Sequence, residues 1–160
     1  MKITVASPLV VGIDVGYRNL AICALRKGEP VPQLWQVSDI LGNMKPTRQT
    51  LFEAMMRWCE THRELLVAAD LIVLETQRKA LYQNLNTVVM ALYPKKSREL
   101  HPFALCSAFM LPRSRAEKKK ATIERVKEAF GANALPTTQA KQDDLADAAL
   151  FCLWGHQNLH

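Results

Sequence analysis

At 160 residues, 49% of them hydrophobic, the chain is long enough to bury a core and too apolar to be disordered, and it is read as one domain over residues 1–160. Its formal charge of +6 favours a polyanionic partner. No stretch is apolar enough to span a membrane, and residues 1–11 carry no long apolar region before a cleavage site, so neither a membrane span nor a signal peptide is expected.

In chain order, LVVGIDVG (9–16) is a short β-branched run closed by Gly16, and it predicts a buried strand followed by a turn. RNLAICALRKG (18–28) predicts a second apolar strand, so residues 9–26 read as a hairpin. Residues 31–40 predict a third strand, at an edge because Pro32 cannot donate to a central ladder. Gly42, Asn43 and Pro46 make 41–46 a loop. Thr47 is placed to cap a helix over 48–67, with Leu51, Met55, Trp58, His62 and Leu65 on one face. DLIVLET (70–76) is the clearest strand, four apolar residues followed by an acid. Residues 80–93 predict a helix whose Leu81, Leu85, Val88 and Leu92 form a stripe, either a core face or an interface, and Pro94 ends it. RELHP (98–102) predicts a short last strand, and residues 103–110 one or two helical turns. A basic helix over 116–130, a loop over 131–139 and a final helix from Lys141 to Gly155 complete the order β-β-β-α-β-α-β-α-α. The expected fold class is α/β: a mixed sheet, a three-stranded antiparallel meander extended by parallel strands, flanked by helices.

The four cysteines, Cys23, Cys59, Cys106 and Cys152, form no CxxC pair and have apolar neighbours, so they read as buried thiols in a reducing intracellular compartment rather than as disulfides or zinc ligands. The four histidines are scattered and suggest no metal site of their own.

Acids are the conspicuous feature. Asp14 follows the apolar run of the first strand and Glu75 ends that of the fourth. Asp144 and Asp147 are i, i+3 neighbours on a final helix that turns apolar almost all round, as a buried helix does. Two like charges ~4 Å apart at an effective dielectric of ~20 repel by about 4 kcal/mol, so a proton or a cation has to sit between them. If the first strand and the first strand after the meander lie side by side, Asp14 and Glu75 converge, and a helix packed across the sheet brings Asp144 and Asp147 to the same point. All-oxygen ligation suits Mg²⁺ or Mn²⁺. Two such ions ~3.5–4 Å apart activate water and stabilise the leaving oxygen in phosphodiester hydrolysis. The plainer reading makes Asp14 a turn residue, pairs Glu75 with Arg78, and uses Asp143 and Asp144 to complement a helix dipole. Asp143 is also a second-ranked partner for Asp147, at i, i+4.

From Arg113 to Lys127 the chain holds seven Lys/Arg against two Glu, a local net of +5 that is most of the total excess. Ile123, Val126 and Phe130 mark the expected buried face of this helix, and Lys119 lies on that face one turn earlier, with Lys118 and Lys120 to either side. A lysine there is either a snorkelling stem or a cation reaching into an anionic site.

The segments GIDVGYRNLA (12–21), IVLETQ (72–77), AEKKKA (116–121) and KQDDLADAALF (141–151) resemble, in order and over nearly the whole chain, the Holliday junction resolvases of the RuvC-like group, above all the poxvirus-type branch of large DNA viruses. The resemblance implies a ribonuclease H-like fold and a homodimer whose two sites nick opposite strands of a four-way DNA junction, an activity of recombination and repair. It implies two Mg²⁺ or Mn²⁺ per site, held by Asp14, Glu75, Asp144 and Asp147. It places a catalytic lysine within 118–120, where helical phase selects Lys119. DNA contacts are then expected from Gln77 and Arg78, from Tyr82 by stacking on an unpaired base unless it is a core aromatic, and from Arg113, Arg115, Lys118 and Lys120. No small-molecule cofactor or membrane is implied, and a viral source would mean the host cytoplasm or nucleus. Residues 101–111, HPFALCSAFML, depart from the pattern by holding no Lys or Arg. The competing readings are a ribonuclease H-like nuclease for RNA–DNA hybrids or flaps, and a non-catalytic nucleic-acid-binding module. An actin-type ATPase would need a second domain.

Overall fold

The computed structural model describes residues 6–136 and 142–159. Strands β1 (Leu9–Asp14), β2 (Leu20–Arg26) and β3 (Leu34–Ser38) form the antiparallel meander. Strand β4 (Leu71–Glu75) joins β1 in parallel and β5 (Ser97–Leu100) joins β4 in parallel, giving the order β3-β2-β1-β4-β5. Pro32 precedes β3, which lies at the sheet edge as its chemistry requires. The helices are α1 (Arg48–Thr61), α2 (Arg63–Ala68), α3 (Ala80–Leu92), α4 (Pro102–Phe109), α5 (Arg115–Phe130) and α6 (Gln142–Asn158).

Side chains alternate across a strand, and here both faces are covered, so the strands read as continuous apolar runs. Leu9, Val11 and Ile13 of β1, with Ile72 and Leu74 of β4, pack in one core with Leu51, Met55 and Trp58 of α1 and Leu85, Val88 and Val89 of α3. Val10, Cys23, Leu71 and Val73 pack in the other core with Ala148, Phe151 and Cys152 of α6. Helix α6 lies so close to β1 that a Cβ on Gly12 would fall 2.2 Å from the Ala148 carbonyl oxygen and 2.9 Å from Phe151 Cβ. The Cys152 thiol donates to the Cys23 carbonyl at 3.0 Å, and the His156 Nε2–H donates to the Leu25 carbonyl at 2.8 Å.

Two details differ from the sequence-based expectation, at His62 and at Gly155, and two open readings resolve between them. The helix expected over 48–67 breaks at His62, whose Nδ1 donates to the Trp58 carbonyl at 2.9 Å while Nε2 accepts from the Gln36 amide at 2.9 Å. The α3 stripe is largely core: Leu85 and Val88 are buried and Leu81 packs on them, whereas Leu92 is 43% exposed. Residues 103–110 fall on α4, opened by Pro102 and by the His101 ring, which accepts from the Phe103 N–H at 3.2 Å. The last helix continues past Gly155 to Asn158, because that glycine is a contact and not a stop; its Cβ would meet Val10 Cγ1 at 2.5 Å. The end of the loop expected at 131–139, and Lys141, lie outside the described residues. All four cysteines are free thiols, Cys106 partly buried and the others buried. No described helix is long and apolar enough to cross a membrane.

Candidate active site

Strand parity delivers the first two acids. Asp14 follows Val10 and Gly12 on the face that α6 covers, and Glu75 follows Leu71 and Val73 on the same face. The parallel register pairs Ile13 with Leu74, so Asp14 and Glu75 come next to each other at the ends of adjacent strands. Above them runs the start of α6, carrying Asp143, Asp144 and Asp147. Its position is fixed by the absent Cβ of Gly12 and by Trp35, whose Nε1–H donates to the Leu145 carbonyl at 2.8 Å.

Electrostatics record the convergence. Burial pushes the Asp14 carboxyl well above the ordinary carboxylate range, and the charges of Asp147, Glu75, Asp144 and Asp143 push it further. Burial, then Glu75, raises Asp147 to about 7, with Asp143 and Asp144 adding to the rise and the Lys118 ammonium opposing it. Burial also raises Glu75, while Lys118 and His101 pull it back. The sequence-predicted quartet is therefore brought together at electrostatic range. Among the described residues, however, no three Asp, Glu, His or Cys are gathered tightly enough to cage an ion as they stand.

Helical phase places Lys119 on the buried face of α5, and the structure turns that residue outward. It is exposed and forms an ion pair with Asp143, which raises the Lys119 pKa through the hydrogen bond and charge of that carboxylate. Burial pushes Asp143 up, but the Lys119 hydrogen bond and charge bring it below its ordinary value. The buried residues of α5 are Thr122 and Val126, with Ile123 and Phe130 only partly covered. That phase puts Lys118, one turn before Thr122, on the inward side, where its charge reaches Glu75 and Asp147.

A cavity of about 270 Å³ opens from Glu75 and is lined also by Gln77, Arg78, Lys79, Tyr82 and Pro102. The predicted DNA-contact residues Gln77, Arg78 and Tyr82 thus share one cleft with the second acid. Gln77 also folds back to donate to the Glu75 carbonyl at 3.3 Å. Tyr82 packs on Tyr17 with ring centroids 5.7 Å apart, and the Lys79 ammonium lies 5.7 Å from the Tyr82 ring centroid. Burial, Tyr17 and Asp14 raise the Tyr82 hydroxyl pKa, which ties that ring to the acid cluster. Arg113, before α5, Arg115 at its start and Lys120 in its second turn are exposed.

No protein-family model matches the chain, and no curated protein matches it by sequence. Solved structures do match. Thermus thermophilus RuvC aligns with TM-score 0.63 and 13% identity, covering 93% of this chain and 95% of that one. The same protein in complex with a Holliday junction substrate aligns with TM-score 0.61 and 13% identity, over 94% and 95% of the two chains. The fowlpox virus Holliday junction resolvase aligns with TM-score 0.63 and 14% identity, over 95% and 99%. The chain has the RuvC, ribonuclease H-like fold. Its five-stranded mixed sheet with helices on both faces is the architecture of these neighbours.

On that fold the donor set suits a hard divalent cation. The converging groups are carboxylates, Lys118 offsets the repulsion at Glu75 and Asp147 and His101 at Glu75, and all-oxygen ligation fits Mg²⁺ or Mn²⁺. Three supporting residues escaped the sequence reading. Asn86, buried on α3, donates to the Glu75 carbonyl and to Glu99, both at 2.8 Å, and so holds the end of β4. A polar residue between Leu85 and Val88 in an apolar stripe was the signal. Trp35 and His101 carried no signal beyond their types.

Proposed function

We propose that this chain is a metal-dependent, structure-selective endonuclease that resolves four-way DNA junctions by paired nicking as a homodimer. The observation that carries the reading is the convergence of Asp14 and Glu75 with Asp144 and Asp147 of α6, with Asp14, Glu75 and Asp147 held above their ordinary carboxylate values. The fold it shares with RuvC, whose structure with a Holliday junction substrate is among the matches, supports the substrate. The fowlpox virus resolvase, also matched in complex with junction DNA, supports it equally.

In this reading Asp14, Glu75, Asp144 and Asp147 hold Mg²⁺ or Mn²⁺, two ions per centre. When bound, the ions supply an activated water and charge stabilisation at the leaving oxygen. The chain's own residues do the rest. Lys118 faces Glu75 and Asp147 and offers a cation to the scissile phosphate. Asn86 keeps Glu75 in register. Arg78 and Lys79 meet phosphates at the cleft wall, with Gln77 and Tyr82 beside them, and Arg113, Arg115 and Lys120 extend the basic surface. Phe52, Met56 and Leu92 are exposed on α1 and α3 and form the face for a second copy. Four free thiols fit a reducing compartment.

The test is cleavage of an immobile four-way junction with Mg²⁺ or Mn²⁺, comparing wild type with Asp147→Asn. Paired symmetric nicks by wild type alone support the reading. Equal cutting of duplex, flap or RNA–DNA hybrid refutes junction selectivity, and binding without nicking under either metal refutes the nuclease.

A further inference from the structure

Tyr17 stands in the turn between β1 and β2, shortly after Asp14, and its ring packs on that of Tyr82 with centroids 5.7 Å apart. Tyr82 lines the cleft that opens from Glu75, and the Asp14 charge acts on its hydroxyl. The turn is therefore one border of the acid centre. A surface turn keeps a single shape only where contacts outside it tie it down. Here the ties begin at the next residue, Arg18.

The Arg18 guanidinium reaches across to the loop that follows β3. Nη1 donates to Asp39 Oδ2 at 3.4 Å and to the Gly42 carbonyl, and Nη2 donates to the Met44 carbonyl at 3.4 Å. The backbone adds a second tie, in which the Ile40 N–H donates to the Tyr17 carbonyl at 3.1 Å. Asp39 closes the loop on itself, its Oδ1 accepting from the Leu41 N–H at 3.0 Å and from the Gly42 N–H at 2.8 Å. The Gly42 N–H pulls the Asp39 carboxyl below its ordinary value, with Leu41 and Arg18 adding to the fall and burial opposing it. The loop is in turn anchored from below, because Leu41 is buried and packs in the core shared with α1 and α3. A chain of contacts thus runs from the core through Leu41, the Asp39 turn and Arg18 to Tyr17 and Tyr82. An exposed ion pair alone is worth little. A planar fork spread over a carboxylate and two carbonyls instead fixes an orientation, which a point charge cannot do.

We propose that the Arg18–Asp39 clasp is a positioning device that seats Tyr17 on Tyr82 and so sets the wall of the Glu75 cleft for the substrate. Arg18 is then a positioning residue, acting through Tyr17 without touching the DNA. Its consequence for cleavage rests on the nuclease reading, whereas the clasp itself is a property of the free protein.

The experiment uses the full chain and compares wild type, Arg18→Ala, Arg18→Lys, Asp39→Asn, Tyr17→Ala and the double variant Arg18→Ala/Tyr17→Ala. In the DNA-free protein, Arg18→Ala should speed amide hydrogen exchange about tenfold or more over residues 15–19 and 39–44, the scale of losing hydrogen bonds to a charged group, and leave β1 and β4 as in wild type. With Mg²⁺ and a four-way junction, kcat should fall about tenfold or more while KM changes little, as for a misplaced cleft wall. The salt dependence of junction binding should stay unaltered, since no phosphate contact is removed. The double variant should be no slower than Tyr17→Ala alone. Arg18→Lys keeps the charge and loses the fork, so it should behave as Arg18→Ala. Asp39→Asn keeps the acceptor for Leu41 and Gly42 and loses the charge, so it should fall between wild type and Arg18→Ala. Unchanged exchange in Arg18→Ala would overturn the clasp whatever happens on DNA. Full activity in Arg18→Lys, or a salt slope smaller by about one in Arg18→Ala, would make Arg18 a phosphate contact and overturn the proposal. Effects that multiply in the double variant would overturn the route through Tyr17. A wild type that cuts no branched DNA would overturn the nuclease reading, and the exchange result alone would then decide the clasp.

Discussion

Replacing Asp147 by Asn should stabilise the metal-free protein while abolishing nicking. The carboxyl is buried on α6 and its pKa stands at about 7 against an ordinary value of 3.8, raised by burial and then by Glu75. A folded-state value above the unfolded one means that the native state holds the proton more tightly. The group therefore leaves stability intact below about pH 4, and the protein loses stability as pH rises from there to about 7. Three units at about 1.4 kcal/mol each give roughly 4 kcal/mol at pH 8, falling to about 2 kcal/mol at pH 5, as upper figures because neighbouring carboxylates share the strain. Asparagine keeps the shape of the neutral acid and cannot ionise. For a domain of this length 1 kcal/mol moves the melting temperature by about 2–4 °C, so the variant should melt up to about 8–16 °C higher at pH 8 in EDTA. The gain should shrink at pH 5. Thermal melts at the two pH values decide the matter. A variant no more stable than wild type at pH 8, or one with an equal gain at both, would refute the claim that this acid is ionised against its surroundings.

Adding Mg²⁺ at pH 8 should raise the melting temperature of wild type and leave Asp147→Asn nearly unmoved, because the cation relieves a charge the variant lacks; equal shifts would count against a carboxylate centre. Lys118→Ala should lower the nicking rate by roughly 10²-fold, the cost of removing one aimed donor, while Lys119→Ala stays near wild type. The reverse order would return the site lysine to the ion-paired position. Asn86→Ala should cost about 2 kcal/mol in denaturant unfolding, by stripping hydrogen bonds from the Glu75 carbonyl and Glu99, and should lower kcat more than it changes KM. Gly12→Ala should cost about 3 kcal/mol or more, since its Cβ would press on the Ala148 carbonyl; an alanine variant as stable as wild type would show that α6 can lift off the sheet.

What was legible in the sequence, and what was not, follows from how each residue is positioned. Asp14 and Glu75 were legible because a strand gives only two directions, and an acid two residues beyond Gly12 or Val73 must share their face. The apolar runs announced strands covered on both sides, and that cover forces any acid at their ends into a dry setting. Asp144 and Asp147 were legible because the rest of α6 is apolar all round and has to lie across the sheet. A helix, by contrast, gives a continuous angle. On α5 the apolar residues Ile123 and Phe130 pulled the expected inward face toward Lys119, whereas the structure buries Thr122 beside Val126 and turns Lys118 inward. A threonine reads as polar and so conceals the phase it helps to set. Asn86 misleads in the same way, a polar side chain buried to hold a backbone carbonyl. Gly155 misleads in the opposite sense, reading as a helix end where it marks close approach to Val10. Each error arises where a residue's type serves a neighbour's geometry, and that dependence is tertiary. The acid centre escaped it because its four carboxylates stand on elements whose orientation the apolar pattern had already determined.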